Sequence, residues 1–299
     1  MQRTLKFFVL FIALFQATPG FSWSATGHRI IAQIAYDHLN PRAKRHYAHL
    51  NQSLNQEQRR YTLVAASVWM DTLFDPRYLA FKPMHYIDIP ESVDGTPVPK
   101  PAAMNAVVAV QQAKETLRDP DATLDEKAIA LRIILHVVGD IHQPLHTITQ
   151  VSHAHPKGDR GGNDFHLGKN KVGNNLHRYW DKGGGFLVPK ISPSLVRQLA
   201  KKLEAEWSCP TPDLEIMHWV QDSHALARQY AYAIEENSVP SFAYEQTTQR
   251  LTQQQLVYAG CRLSLLLNHL AFDHFHKPFD PSDMSIKAGN KNKITSAKR

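Results

Sequence analysis

The stretch from Thr123 to His146 constrains the fold more than any other part of the chain. Thr123-Leu124-Asp125-Glu126 has the pattern of a capping box, in which a threonine hydroxyl and a glutamate three residues later each satisfy a backbone N–H at a helix start. The next run, from Ala128 to Val138, is apolar on nearly every side, and such a helix belongs in a protein interior rather than at its surface. It nevertheless leads into a helix face that carries His136 and Asp140, four residues apart and so projecting together. An imidazole and a carboxylate buried together are costly without partners, so this helix requires a cation or a polar network beside it. Pro144 then ends the helix and lets His146 turn back toward the same face.

Elsewhere the hydrophobic spacing is again helical, and alternating strand patterns are scarce. Helices are expected at about 28–39, 61–73, 102–118, 124–142, 192–206, 213–236 and 247–270. A Pro-rich stretch at 90–101 and a Gly-, Asn- and His-rich stretch at 153–175 read as two long loops on that scaffold. With 43% hydrophobic and 20% charged residues and no internal repeat, the chain fits an all-α, mostly helical single domain over residues 23–286, with a basic disordered tail at 287–299.

The first residues, Met1 to Lys6, precede an apolar run from Phe7 to Phe15 and a polar stretch ending in Ser22, the pattern of a secretory signal peptide over residues 1–22. The apolar run is far shorter than the ~20 residues that span a bilayer, so no stable membrane anchor is expected. The mature protein is therefore expected to be secreted or periplasmic and to begin at Trp23. Only two cysteines are present, which excludes a disulfide-framework fold. An oxidising compartment allows a disulfide bond between Cys209 and Cys261, and two buried thiols remain the alternative. Seventeen histidines against those two cysteines favour a nitrogen-and-oxygen metal site, because neutral imidazole is the commonest metal ligand.

A second imidazole and carboxylate pair repeats the first. In Asn175-Leu176-His177-Arg178-Tyr179-Trp180-Asp181, His177 and Asp181 are four apart. Two more segments offer ligands of the same kind, Ser67-Val68-Trp69-Met70-Asp71 and Met84-His85-Tyr86-Ile87-Asp88. The expected mature terminus, Trp23-Ser24-Ala25-Thr26-Gly27-His28, adds His28 and a freed α-amine, whose reference pKa of ~7.7–8.0 lets a metal displace its proton near neutrality.

These segments, in this order, resemble the S1/P1 nuclease family of zinc-dependent single-strand nucleases, whose mostly helical fold is shared with zinc-dependent phospholipase C. The resemblance runs from Trp23 to Asp181 through Trp-x-x-x-Gly-His, Ser-x-Trp-x-Asp, His-Tyr-Ile-Asp, His-x-x-x-Asp-x-His-Gln-Pro-Leu-His, Gly-Gly-Asn and Asn-Leu-His-x-x-x-Asp. It implies three zinc ions. Asp71, His85, His136 and Asp140 would hold the first, His146, His177 and Asp181 the second, and Trp23 and His28 the third, with Asp140 bridging the first and third. Asp71 and Asp140 would be the catalytic carboxylates. The implied activity is hydrolysis of single-stranded DNA and RNA to 5′-phosphate products by a zinc-bound hydroxide, with a monomer as the working unit. Tyr86, Asp88 and Asn163 would bind substrate, the first by stacking and the other two by reading the base.

Two departures qualify the transfer. Phe74 stands where the family often has an arginine, with Arg77 the nearest substitute, and Gly183 stands where an aromatic often completes the base sandwich. His142 is expected to orient a ligand. A zinc-dependent phospholipase C and a non-catalytic metal-binding protein remain the alternatives. His177-x-x-x-Asp181 favours the nuclease, since the phospholipase is expected to use a glutamate in its corresponding pair. A catalytic zinc site keeps an open position that a purely structural one fills.

Overall fold

The structure is a computed structural model that describes residues 23–55, 61–73, 76–187 and 191–273. The expected signal peptide at 1–22 and the basic tail at 287–299 lie outside the described residues, as does Phe74.

Helices dominate the architecture. α1 (Ala25–His38), α2 (Pro41–Ser53) and the single turn α3 (Leu63–Ala66) are followed by β1 (Ile89–Ser92), α4 (Ala106–Arg118), α5 (Leu124–Ile141) and β2 (Ile148–Val151). Then come α6 (Leu176–Asp181), α7 (Pro193–Glu206), α8 (Ile216–Leu226) and the long α9 (Phe242–Asp273), with short 3₁₀ segments at Met70–Thr72, Pro76–His85, Pro144–His146 and Gly183–Gly185. Among the described residues no helix is long and apolar enough to cross a membrane.

α5 is the central rod. The expected capping box forms, with Thr123 Oγ1 accepting from the Glu126 backbone and the Glu126 carboxylate accepting from Thr123 N–H at 2.8 Å. From Ala130 to Ile141 every residue of the helix is buried, which is why its sequence is apolar all round. α4 packs along it, and α1 lies between α5, α7 and α9. Cys209 and Cys261 form a disulfide with Cα atoms 5.8 Å apart, tying the segment after α7 to α9.

Several elements differ from the sequence expectation. α2 is not among the expected helices, because its sequence is mostly polar and buries only Ala43, Tyr47, Leu50 and Asn51. Its start is nevertheless conventional, with Asn40 capping Arg42 and Ala43 N–H groups and Pro41 in the first turn. The helix expected at 61–73 stops after Ala66, where Ser67 Oγ donates back to the Val64 carbonyl and Trp69 N–H bonds to Ala66, so the chain tightens and Asp71 lands on a 3₁₀ turn. The segment expected as one helix at 213–236 is α8 followed by a π-helical turn at Ala227–Ala231.

The small parallel sheet positions the site. β1 and β2 pair from Ile89 with Ile148 to Ser92 with Val151. Just before the pairing, Ile87 N–H donates to the His146 carbonyl at 2.8 Å, and His146 Nδ1 donates to the His85 carbonyl at 2.7 Å. His85, Tyr86 and Asp88 are thereby held beside the turn that carries His146.

Candidate metal centre

Eight of the nine ligand residues expected from sequence offer a side-chain donor, and the structure collects all eight into three adjoining groups. One consists of His28, His136 and Asp140, a second of Asp71, His85 and His136, and a third of His146, His177 and Asp181. His136 therefore belongs to two groups, and Asp140 stands with His28 and His136. The centre is drawn from α1, the turn at Asp71, the end of the 76–85 segment, α5, the turn at His146 and α6, so it exists only once the whole helical core is assembled.

The separations run from 3.3 to 3.8 Å, at or a little above those of ligands around a shared ion. His28 Nε2 lies 3.3 Å from Asp140 Oδ1, and His136 Nε2 lies 3.3 Å from Asp140 Oδ2 and 3.6 Å from Asp71. His85 Nε2 is 3.8 Å from Asp71, His177 Nε2 is 3.6 Å from Asp181, and His146 Nε2 is 3.8 Å from Asp181. Two donors each ~2.0–2.2 Å from a tetrahedral zinc stand roughly 3.3–3.5 Å apart, whereas a direct hydrogen bond between them would be close to ~2.9 Å. Asp140 is fully buried, yet neither of its oxygens accepts a hydrogen bond of good geometry. A buried carboxylate of that kind fits a divalent cation.

Tautomers are set on the same side in four of the five imidazoles. Nδ1 of His136 donates to the Ser67 carbonyl, that of His85 to Phe81, that of His146 to His85 and that of His177 to Gly161, at 2.7 to 3.0 Å. A carbonyl only accepts, so in the neutral ring each Nε2 carries the lone pair and faces the carboxylates, the form in which imidazole binds a metal. Burial lowers the pKa of His28, His85, His146 and His177, which also favours the neutral ligand form. At His136 burial is outweighed by Asp140 and Asp71, which pull it upward; in turn His136 and His28 overcome burial to hold Asp140 well below the usual carboxylate range. Asp181 is pushed up to about 7 by burial, against the opposing effect of His177.

Gln143 is a site residue that the sequence reading does not single out. Its Nε2 donates to Asp181 Oδ1 at 2.8 Å, and its Oε1 accepts from Leu145 N–H, so one amide orients a carboxylate of the third group and shapes the turn that delivers His146. Its place between two histidines of one motif is the available signal. His142 does not do what is expected of it. The ring donates to the Val138 carbonyl and faces Arg262 and Trp219, away from the three groups.

Trp23 contributes no side-chain donor to any group. It is wholly buried, and the next residue ties it to the centre, with Ser24 N–H donating to the Asp181 carbonyl at 3.0 Å. Tyr86 and Asp88 are partly buried beside the centre, and Asp88 adopts a left-handed backbone at φ 42°. Burial, then the charge of Asp159, push the Asp88 carboxyl up to about 8. Asn163 sits in the 153–175 loop with its backbone and side-chain N–H groups directed to the Arg160 carbonyl. Gly183, where a base-stacking ring would complete the sandwich, is buried at φ 55°, and a Cβ there would meet Thr252 at 2.6 Å, so no ring fits at that position.

Comparison with known proteins points to one family. The sequence profile of the family described as S1/P1 Nuclease matches residues 23–272. Endonuclease 1 of Arabidopsis thaliana is 25% identical over 84% of this chain and 88% of its own length. Endonuclease 2 of the same plant is 24% identical over 88% and 95%, and Nuclease S1 of Aspergillus oryzae is 29% identical over 60% of each chain.

Proposed function

The chain belongs to the S1/P1 nuclease family, and is thus a phosphodiester hydrolase acting on nucleic acid, and from that premise we propose that it is an exported zinc-dependent endonuclease cutting single-stranded DNA and RNA to 5′-phosphate products. The observation that carries the reading is Asp140, a buried carboxylate whose two oxygens face the imidazoles of His28 and His136 at 3.3 Å each without accepting a hydrogen bond of good geometry.

In this reading Asp71, His85, His136 and Asp140 hold one zinc ion, His146, His177 and Asp181 a second, and His28 a third together with the α-amine and carbonyl of a mature Trp23. Bound zinc supplies Lewis acidity toward a phosphodiester and lowers the pKa of bound water to near ~7. Everything else falls to the chain. Asp140 stands between His28 and His136 and would serve the ions that each of them holds, and Asp71 stands between His85 and His136 on the other side. The backbone carbonyls of Ser67, Phe81, His85 and Gly161 hold the imidazoles to one tautomer, so the donor set needs no rearrangement when substrate arrives. Tyr86 offers a ring to an unstacked base, and Asp88 and Asn163 offer polar groups to its edge. Bases of a single strand are exposed for such contacts, whereas those of a duplex are stacked away. The disulfide supports export, because such bonds persist in oxidising compartments.

The test is hydrolysis by the purified chain beginning at Trp23, supplied with zinc, of single-stranded DNA, RNA, duplex DNA and phosphatidylcholine. Cleavage of both single strands to 5′-phosphate ends is expected, with little action on duplex or lipid. Preferred hydrolysis of phosphatidylcholine would overturn the substrate assignment and restore the phospholipase alternative.

A further inference from the structure

Beside the metal-ligand groups lies a buried acid that has no part in the proposed hydrolysis. Asp159 is 1% exposed and belongs to none of the three groups. Its Oδ1 accepts from Gln150 N–H at 3.0 Å and from the Thr149 hydroxyl at 3.2 Å, and its Oδ2 accepts from the Tyr232 hydroxyl at 2.8 Å. It also accepts from the backbone of Gly162. Its own backbone N–H bonds to the Gln150 carbonyl, so this residue is fastened to β2 at two points.

The backbone immediately after Asp159 is unusual. Arg160, Gly161 and Gly162 all adopt positive φ, at 56°, 61° and 79°. A left-handed arginine is strained, and such backbone persists only where the surroundings hold it. The three residues present their carbonyls outward to functional groups. That of Gly161 receives His177 Nδ1, that of Gly162 receives His177 N–H, and that of Arg160 receives both N–H groups of Asn163. One carboxylate therefore secures a turn that reaches the candidate metal centre on one side and Asn163 on the other. Asp159 is also the charge that acts most on Asp88, with Arg160 opposing it, and Tyr86 and Tyr232 are the other titrating groups that sense Asp88.

We propose that Asp159 is a positioning residue for base recognition, holding residues 158–163 against β2 and Tyr232 so that Asn163 is presented to substrate. The proposal rests on the reading of Asp88 and Asn163 as base contacts. It extends that reading to a residue that touches neither substrate nor metal. Tyr232, in contact with Phe165 at a ring separation of 5.8 Å, is the partner through which α8's π-helical extension reaches Asp159.

The experiment measures binding of a nucleoside 5′-monophosphate and of inorganic phosphate to the zinc-loaded chain by calorimetry, as purified and with Asp159→Asn or Tyr232→Phe. Asp159→Asn is expected to weaken the nucleotide about tenfold or more, and Tyr232→Phe about threefold to fivefold, the range of lost hydrogen bonds to a charged or neutral group. Phosphate, which has no base to position, should change by less than about twofold. The pH midpoint of nucleotide affinity should also move down in Asp159→Asn, because removing the neighbouring carboxyl eases ionisation of Asp88; a purely architectural role would not move it. Equal loss of nucleotide and phosphate, or no loss of either, overturns the proposal. Should Asp159→Asn fail to fold, Tyr232→Phe decides alone, since it keeps the ring against Phe165. If the unsubstituted chain binds nucleotide no better than phosphate, base reading itself fails and the role of Asp159 falls with it, a result visible before any substitution is made.

Discussion

The two halves of the candidate site are built on different principles. Around His28, His136 and Asp140 the side chains come from the interiors of long helices, all fully buried, with their partners set by helix geometry. Around Tyr86, Asp88 and Asn163 they come from connecting segments whose shape depends on positive φ angles, backbone carbonyls and one buried acid. The first half needs rigid placement of ligands to within a fraction of an ångström, which packed helices provide. The second must accept a flexible, variable substrate, and loops carried on a rigid scaffold suit that task.

The sharpest way to break this contrast is at Asp140. Removing one charge from a buried, mutually compensating set costs roughly 3–5 kcal/mol, equivalent to about 10²–10³-fold or more. Asp140→Asn is therefore expected to lower kcat/KM and zinc content more than Asp181→Asn does, because in the proposed reading Asp140, between His28 and His136, serves two ions and Asp181 one. Elemental analysis and hydrolysis of one oligonucleotide measure both, and the reverse order would contradict the bridging role.

How far each half is legible in the sequence follows the same division. His136 with Asp140, and His177 with Asp181, are legible because a spacing of four on a helix implies a common face. The helical class and the start of α5 are legible for similar reasons, since capping and periodicity are local properties. α2 is not, because a polar helix with a narrow buried stripe carries little signal. Nor is the parallel pairing of β1 with β2, which joins segments about sixty residues apart and is too short to leave a pattern. Gln143 and Asp159 escape a reading of the sequence because their roles depend on Asp181, Tyr232 and β2, all distant along the chain. At Gly183 the resemblance invites a ring, and only packing against Thr252 reveals that none fits.

The loop half has its own weak point at Gly161. Its φ of 61° is left-handed, and a Cβ there would stand 2.3 Å from the Leu145 carbonyl. Gly161→Ala is expected to destabilise the protein by ~1–3 kcal/mol, the scale of one strained residue, and to loosen His177 through its carbonyl contact. Thermal unfolding measures this, and a change within about 0.5 kcal/mol would show that the turn is not under constraint.

A smaller effect should mark Tyr86. Base stacking contributes ~1–3 kcal/mol per base, so Tyr86→Ala is expected to raise KM for single-stranded oligonucleotides by roughly fivefold to a hundredfold, with zinc content unchanged. Unaltered oligonucleotide kinetics would remove Tyr86 from the substrate-binding half. Loss of zinc in that variant would mean that the two halves are not separable.

Both halves depend on one claim, that the three side-chain groups and a mature Trp23 together hold zinc. Elemental analysis of the chain beginning at Trp23, compared with a chain carrying one extra methionine before it, tests that claim directly. The expected result is one zinc ion for each of the three groups in the first protein, and loss of the ion nearest His28 from the second, since an acylated Trp23 nitrogen no longer offers an amine to a metal. Equal zinc content in both would contradict the terminal ligand, and less than one ion per chain in both would contradict the centre itself.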